Sequence, residues 1–129
     1  MNGRRLREEG GMLASELAIL MPALLLLLML AVQFGLWAHA SQLARAAADE
    51  AAYTAALPGA SDTAGQAAAA GLLAQAGHLT DIRITVDRQP DLIVATVVGT
   101  APQVVPGFSW QVQASAAAAP ERFIEQGER

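Results

Sequence analysis

Residues 17–32 read LAILMPALLLLLMLAV, and residues 33–40 continue QFGLWAHA. Every residue from Leu17 to Val32 is apolar, with Pro22 the only helix breaker, and after Gln33 the run resumes as far as Ala40. At about 1.5 Å per residue, roughly 20 apolar residues cross a hydrocarbon core about 30 Å thick. The stretch therefore predicts a transmembrane helix over residues 12–40. A chain of 129 residues that is 53% hydrophobic and 16% charged fits a membrane-anchored protein better than a cytosolic globule. About 90 residues follow Ala40, near the lower limit for a domain that buries a core unaided, so a large multi-substrate enzyme does not fit.

Arg4, Arg5 and Arg7 precede the apolar run, followed by Glu8, Glu9, Gly10 and Gly11. Positive charge ahead of the first hydrophobic segment holds that end in the cytoplasm and predicts that everything after Ala40 lies outside. Residues 1–11 then form a cytoplasmic leader, and Trp37 and His39 suit the outer interface. A twin-arginine export signal at Arg4-Arg5 is disfavoured, because Arg7, Glu8 and Glu9 stand where apolar residues belong. Ala38-His39-Ala40 before Ser41 has the small-x-small form of a signal-peptidase site, which leaves a secreted binding domain starting at Ser41 as an alternative. The apolar stretch is longer than the 7–15 residues typical of a cleaved signal.

The formal charge is −4, from eight Arg against twelve Asp and Glu with no Lys, so no basic surface exists for a nucleic-acid backbone. Without cysteine there is no disulfide framework, thiolate nucleophile or zinc ribbon. His39 and His78 are expected to lie far apart, one at the membrane edge and one in a turn, outside any metal-ligand spacing. No nucleophile elbow, Walker loop or Gly-rich nucleotide turn is present. Asp87 and Asp91 flank a Pro90 turn and read as turn formers. The sequence thus predicts no enzyme activity, no catalytic residue, no metal, no cofactor and no small-molecule substrate.

Glu16 stands at the threshold of the apolar run. A carboxylate carried into the membrane costs on the order of 2.5–3.5 kcal/mol at the centre, so it calls for a partner, and no Lys or Arg follows it until Arg45. A cut between Gly11 and Met12 would supply one: the new α-amino group at Met12 lies one helical turn before Glu16, on the same face. The plainer alternative is a carboxylate in the headgroup region favouring a helix N-terminus.

An Arg-rich leader, Gly11, Met12-Leu13-Ala14-Ser15-Glu16 and a long apolar helix resemble the type IV pilin processing motif. In that motif a prepilin peptidase cuts after Gly, and Glu is the fifth residue of the product, as Glu16 is counted from Met12. The longer pattern resembles the TadE-like family of pilus assembly proteins. It comprises Ser15-Glu16-Leu17-Ala18, Met21-Pro22, Leu24–Leu28 and Gln33-Phe34-Gly35, then an Ala-rich stretch with Arg45 and Asp49-Glu50-Ala51-Ala52. Val98-Gly99-Thr100-Ala101-Pro102, Val105-Pro106-Gly107 and Pro120-Glu121-Arg122-Phe123 are similar to actinobacterial-type members. The resemblance implies a single-pass, non-enzymatic minor pilin or pseudopilin of the tight-adherence (Flp) system, in the cytoplasmic membrane or incorporated in a pilus. Its partners would be the membrane, a prepilin peptidase, other pilins and the assembly platform. An uncleaved accessory subunit of an envelope enzyme is the remaining alternative.

Beyond the membrane, residues 41–57 predict a helical extension, since Gln42–Ala56 lacks Gly and Pro and is dominated by Ala, and Leu57-Pro58-Gly59 ends it. Ala40, Ala44, Ala47, Ala51 and Ala55 form a small-residue stripe, together with Pro22 a candidate for helix packing. The stripe suits either an assembly face or a seat for the chain's own distal domain. Residues 58–120 predict a small α+β domain. It holds a helix capped by Ser61 or Asp62 and ended by Gly77, a hairpin of Ile82–Val86 and Leu92–Val98, and a third antiparallel strand around Trp110–Ala114. Trp110 and Tyr53 read as packing or interfacial residues. Ala116–Ala119 weakens the third strand by composition, and residues 121–129 are expected to fray.

Overall fold

The computed structural model describes residues 3–121, with side chains from Glu8 onward. The fraying expected of the tail from Arg122 and the side chains of Arg4, Arg5 and Arg7 lie outside the described residues. One helix, α1 (Gly3–Ala56), is followed by a second, α2 (Asp62–Ala76), and by three strands, β1 (Thr80–Arg88), β2 (Ile93–Thr100) and β3 (Gln111–Ala118). The strands form an antiparallel meander in the order β1-β2-β3. The architecture is α+β, as the sequence pattern predicts.

Where α1 is covered, its inner face is almost entirely alanine. Ala40, Ala44, Ala47, Ala48, Ala51, Ala52, Ala55 and Ala56 are buried, at the 3–4 residue spacing of one helix face. They pack with Ala69 and Leu73 of α2 and with Ala95, Val97, Val112 and Ala114 of the sheet; Ala55 and Ala56 join Ile93 in a smaller cluster. The alanine stripe therefore seats the chain's own domain.

Ser61 caps α2 by accepting from the Ala64 backbone N–H at 3.1 Å, and Gly77, at φ 65°, ends it with its N–H on the Leu73 carbonyl at 3.0 Å. The buried side of α2 is Gly65, Ala69 and Leu73. A Cβ at Gly65 would lie 2.5 Å from the Ala51 carbonyl oxygen and 3.0 Å from Ala55 Cβ, so α2 meets α1 nearly backbone to backbone.

β2 alternates buried and half-buried residues along its whole length, whereas in β1 only Ile84 and Val86 are partly covered and Ile82 is exposed. The third strand departs from the compositional expectation. β3 continues through Ala116 and Ala117 to Ala118, each paired with β2. Alanine is a strong helix former, but here eight ladder positions and partial burial of Ala116 and Ala118 against the core outweigh that preference.

Arg88 ties the distal end together. Its Nε donates to Asp62 Oδ1 at 2.9 Å, and Nη2 donates to the carbonyls of Ala55 at 2.8 Å and Ala60 at 3.3 Å. A cation at the C-terminal turn of α1 satisfies a carbonyl left open by the end of the helix. Because Arg88 and Asp62 are each 40% exposed, the group is worth little more than a surface pair. Arg88→Ala is expected to destabilise the domain by about 1 kcal/mol, lowering the melting temperature by about 4–8 °C for a domain of this size. Thermal denaturation followed by circular dichroism checks this.

Candidate functional site

The residues singled out near the N-terminus lie on one continuous, exposed stretch of α1. Gly10 and Gly11 sit inside the helix with open space around both, and Met12, Leu13 and Glu16 are exposed. Each helical glycine costs about 1 kcal/mol relative to alanine. Ser15 Oγ donates to the Met12 carbonyl at 2.9 Å. Among the described residues the one ion pair is Arg88–Asp62, so Glu16 has no cationic partner there. From Met12 to Val32 every side chain is exposed, Pro22 included. α1 is the one described helix long and apolar enough to cross a membrane.

Burial begins at Gln33. Its side chain is fully buried; Oε1 accepts from the backbone N–H groups of Val104 at 2.7 Å and Val105 at 3.3 Å, while Nε2 donates to the Pro102 carbonyl at 3.0 Å. One amide thus satisfies three backbone groups of the loop between β2 and β3. The loop closes on an Ala101 N–H to Trp110 carbonyl bond of 2.9 Å. Its tip, Val105-Pro106-Gly107-Phe108, has Gly107 at φ 85° and a Phe108 N–H to Val105 carbonyl bond of 3.3 Å, the pattern of a type II turn with Pro second and Gly third. Phe34, Trp37 and Trp110 form an aromatic chain beside it, with ring centroids 5.7 and 6.2 Å apart.

Residues 11–52 match the family model of TadE-like proteins. The TadE-like segment begins at Gly11, covers the apolar run and Gln33, and ends within the alanine face of α1. This is the family that the N-terminal pattern resembles, and the match covers about a third of the chain. No curated protein and no solved structure matches the chain.

Gln33, seated in the TadE-like segment, is the residue that sequence reasoning passed over. The signal was available: a lone amide in an apolar run needs hydrogen-bond partners as a carboxylate does. Arg88 left no comparable trace, since an arginine at a strand end is ordinary. A correction concerns the histidines. His39 and His78, far apart in sequence, meet edge-to-face with ring centroids 5.9 Å apart, because the turn leaving α2 returns the chain to α1. The pair is a contact between α1 and the α2–β1 turn.

Proposed function

We propose that this chain is a single-pass membrane minor pilin or pseudopilin that takes part in assembling or exporting a tight-adherence, type IV-like pilus. The observation that carries the reading is that the TadE-like match starts at Gly11, directly before Met12, and that Glu16 is the fifth residue counted from Met12. Residues 1–11 are a leader removed by a cytoplasm-facing prepilin peptidase. Residues from Met12 anchor the protein in the cytoplasmic membrane, and the α2–β3 domain lies outside it. The amine at Met12 and the carboxylate of Glu16 neutralise each other, within one chain or between neighbouring helices. The working partners are the peptidase, other pilins and the assembly platform; nucleic acid, cofactors and small-molecule substrates have no part.

Two features weigh against release after Ala40. Ala40 is fully buried in the middle of a continuous helix. A cut there would also strip the outer domain of Gln33 and Trp37, leaving the backbone groups of Val104, Val105 and Pro102 without their partner. Each such hydrogen bond is worth about 0.5–1.5 kcal/mol net, so the loop between β2 and β3 would lose its seat on α1.

The test is the start of the mature chain. Amino-terminal sequencing should read Met12-Leu13-Ala14. Removing three Arg and two Glu leaves five Arg and ten acids, so the formal side-chain charge moves from −4 to −5. A Ser41 start would favour a secreted domain instead, and an intact Met1 would remove the peptidase from the account.

A further inference from the structure

Most of the exposed large apolar side chains lie on α1 between Met12 and Phe34, where a bilayer accounts for them. Val104 and Phe108, 38% and 58% exposed, do not: they belong to the loop between β2 and β3. The Gln33 clamp fixes that loop at a known height on α1. At about 1.5 Å per residue, Met12 to Val32 measures about 30 Å, the thickness of a hydrocarbon core. Gln33 is the next residue, so the backbone of Val104 and Val105, bonded to its side chain, lies at the outer edge of that core.

Two independent features point to lipid as the occupant. No ionisable side chain occurs between Leu92 and Pro120, and α1 has none between Glu16 and Arg45 except His39. The loop and the ends of β2 and β3 that carry it are thus free of charge, as entry into the headgroup–acyl boundary requires, with Asp81 and Arg83 of β1 beside the end of β2. Phe34, Trp37 and Trp110 also gather at that level, and Trp is the residue enriched where membrane meets water.

We infer that the loop Ala101–Trp110 is a lipid foot: Val104 and Phe108 sink into the outer leaflet beside α1, and Gln33 holds the loop at that depth. The helix and the loop then contact lipid as one apolar surface, which fixes both the height and the tilt of the outer domain. The turn at Pro106-Gly107 keeps the tip closed on itself, so few backbone groups must be desolvated when it enters. This inference rests on α1 spanning the membrane.

The chain has no cysteine, so single nitroxide labels can be placed at Phe108→Cys, Val104→Cys, Leu24→Cys and Ser115→Cys in the full chain. The labelled proteins are reconstituted in phosphatidylcholine–phosphatidylglycerol vesicles, and accessibility to oxygen is compared with accessibility to a water-soluble nickel chelate. Positions 24, 104 and 108 should favour oxygen, with ratios at 104 and 108 severalfold above that at 115 on the exposed side of β3. If 24 favours oxygen while 104 and 108 favour the chelate, the foot is wrong and the membrane span stands. Shielding of 104 and 108 from both reagents would show a protein contact there and overturn lipid as the occupant. If 24 itself favours the chelate, the membrane span fails and the foot falls with it.

Discussion

Gly65→Ala is expected to destabilise the C-terminal domain by about 1–3 kcal/mol, while the same change at Gly71, six residues later in α2, stabilises it by about 0.5–1 kcal/mol. Intrinsic helix preference favours alanine at both positions by about 1 kcal/mol. At Gly71 the new methyl meets open space, so the preference is realised in full. At Gly65 it would stand 2.5 Å from the Ala51 carbonyl oxygen. That neighbour is helix backbone and cannot rotate aside, so α2 must slide away from α1. Sliding loosens Ala69 and Leu73 as well, since they share the buried side of α2 with Gly65. Gly65→Leu, with a branched side chain at the same point, should prevent α2 from docking altogether. Melting of the full chain in detergent micelles reads the sign directly. If Gly65→Ala and Gly71→Ala shift the midpoint in the same direction, the helices are not in contact there.

The same close packing explains what could be recognised in the sequence. α1 announced itself through an apolar run and then an alanine run, β1 through alternation and β2 through a short apolar run after the Pro90 turn, because those patterns reflect how an element is covered. The alanines of β3 gave the opposite signal. Alanine in isolation prefers helix, and Ala116 and Ala118 make sense as strand residues only beside a helix whose own face is alanine, which lets the sheet approach closely. The stripe from Ala40 to Ala55 could be recognised as buried but not as buried by its own chain, since periodicity carries no information about the partner. The meeting of His39 and His78 follows from chain topology alone. Gln33 belongs between these cases. Its polarity within an apolar run called for a partner, as that of Glu16 did, but the partners are backbone groups 69–72 residues away that no local pattern reveals.

That contrast between Glu16 and Gln33, both in the TadE-like segment, leads to the strongest functional expectation. Gln33 is satisfied within its own chain, whereas among the described residues Glu16 has no cationic partner. Glu16→Gln should therefore leave folding, insertion and cleavage intact, because the C-terminal domain is remote from it and the charge that would oppose insertion is gone. Assembly should fail. With the proposed cleavage, the amine at Met12 would enter a helix-packed, low-dielectric setting, and removing one member of a buried charge pair is worth about 3–5 kcal/mol, less where water reaches the pair. Glutamine keeps the shape and hydrogen bonding of glutamate, so the loss reports the charge alone. The expected cells contain a stable, membrane-resident chain beginning at Met12 and bear no pili by electron microscopy. Normal pili in Glu16→Gln cells would make Glu16 an interfacial carboxylate and leave the amine at Met12 to be neutralised by another group.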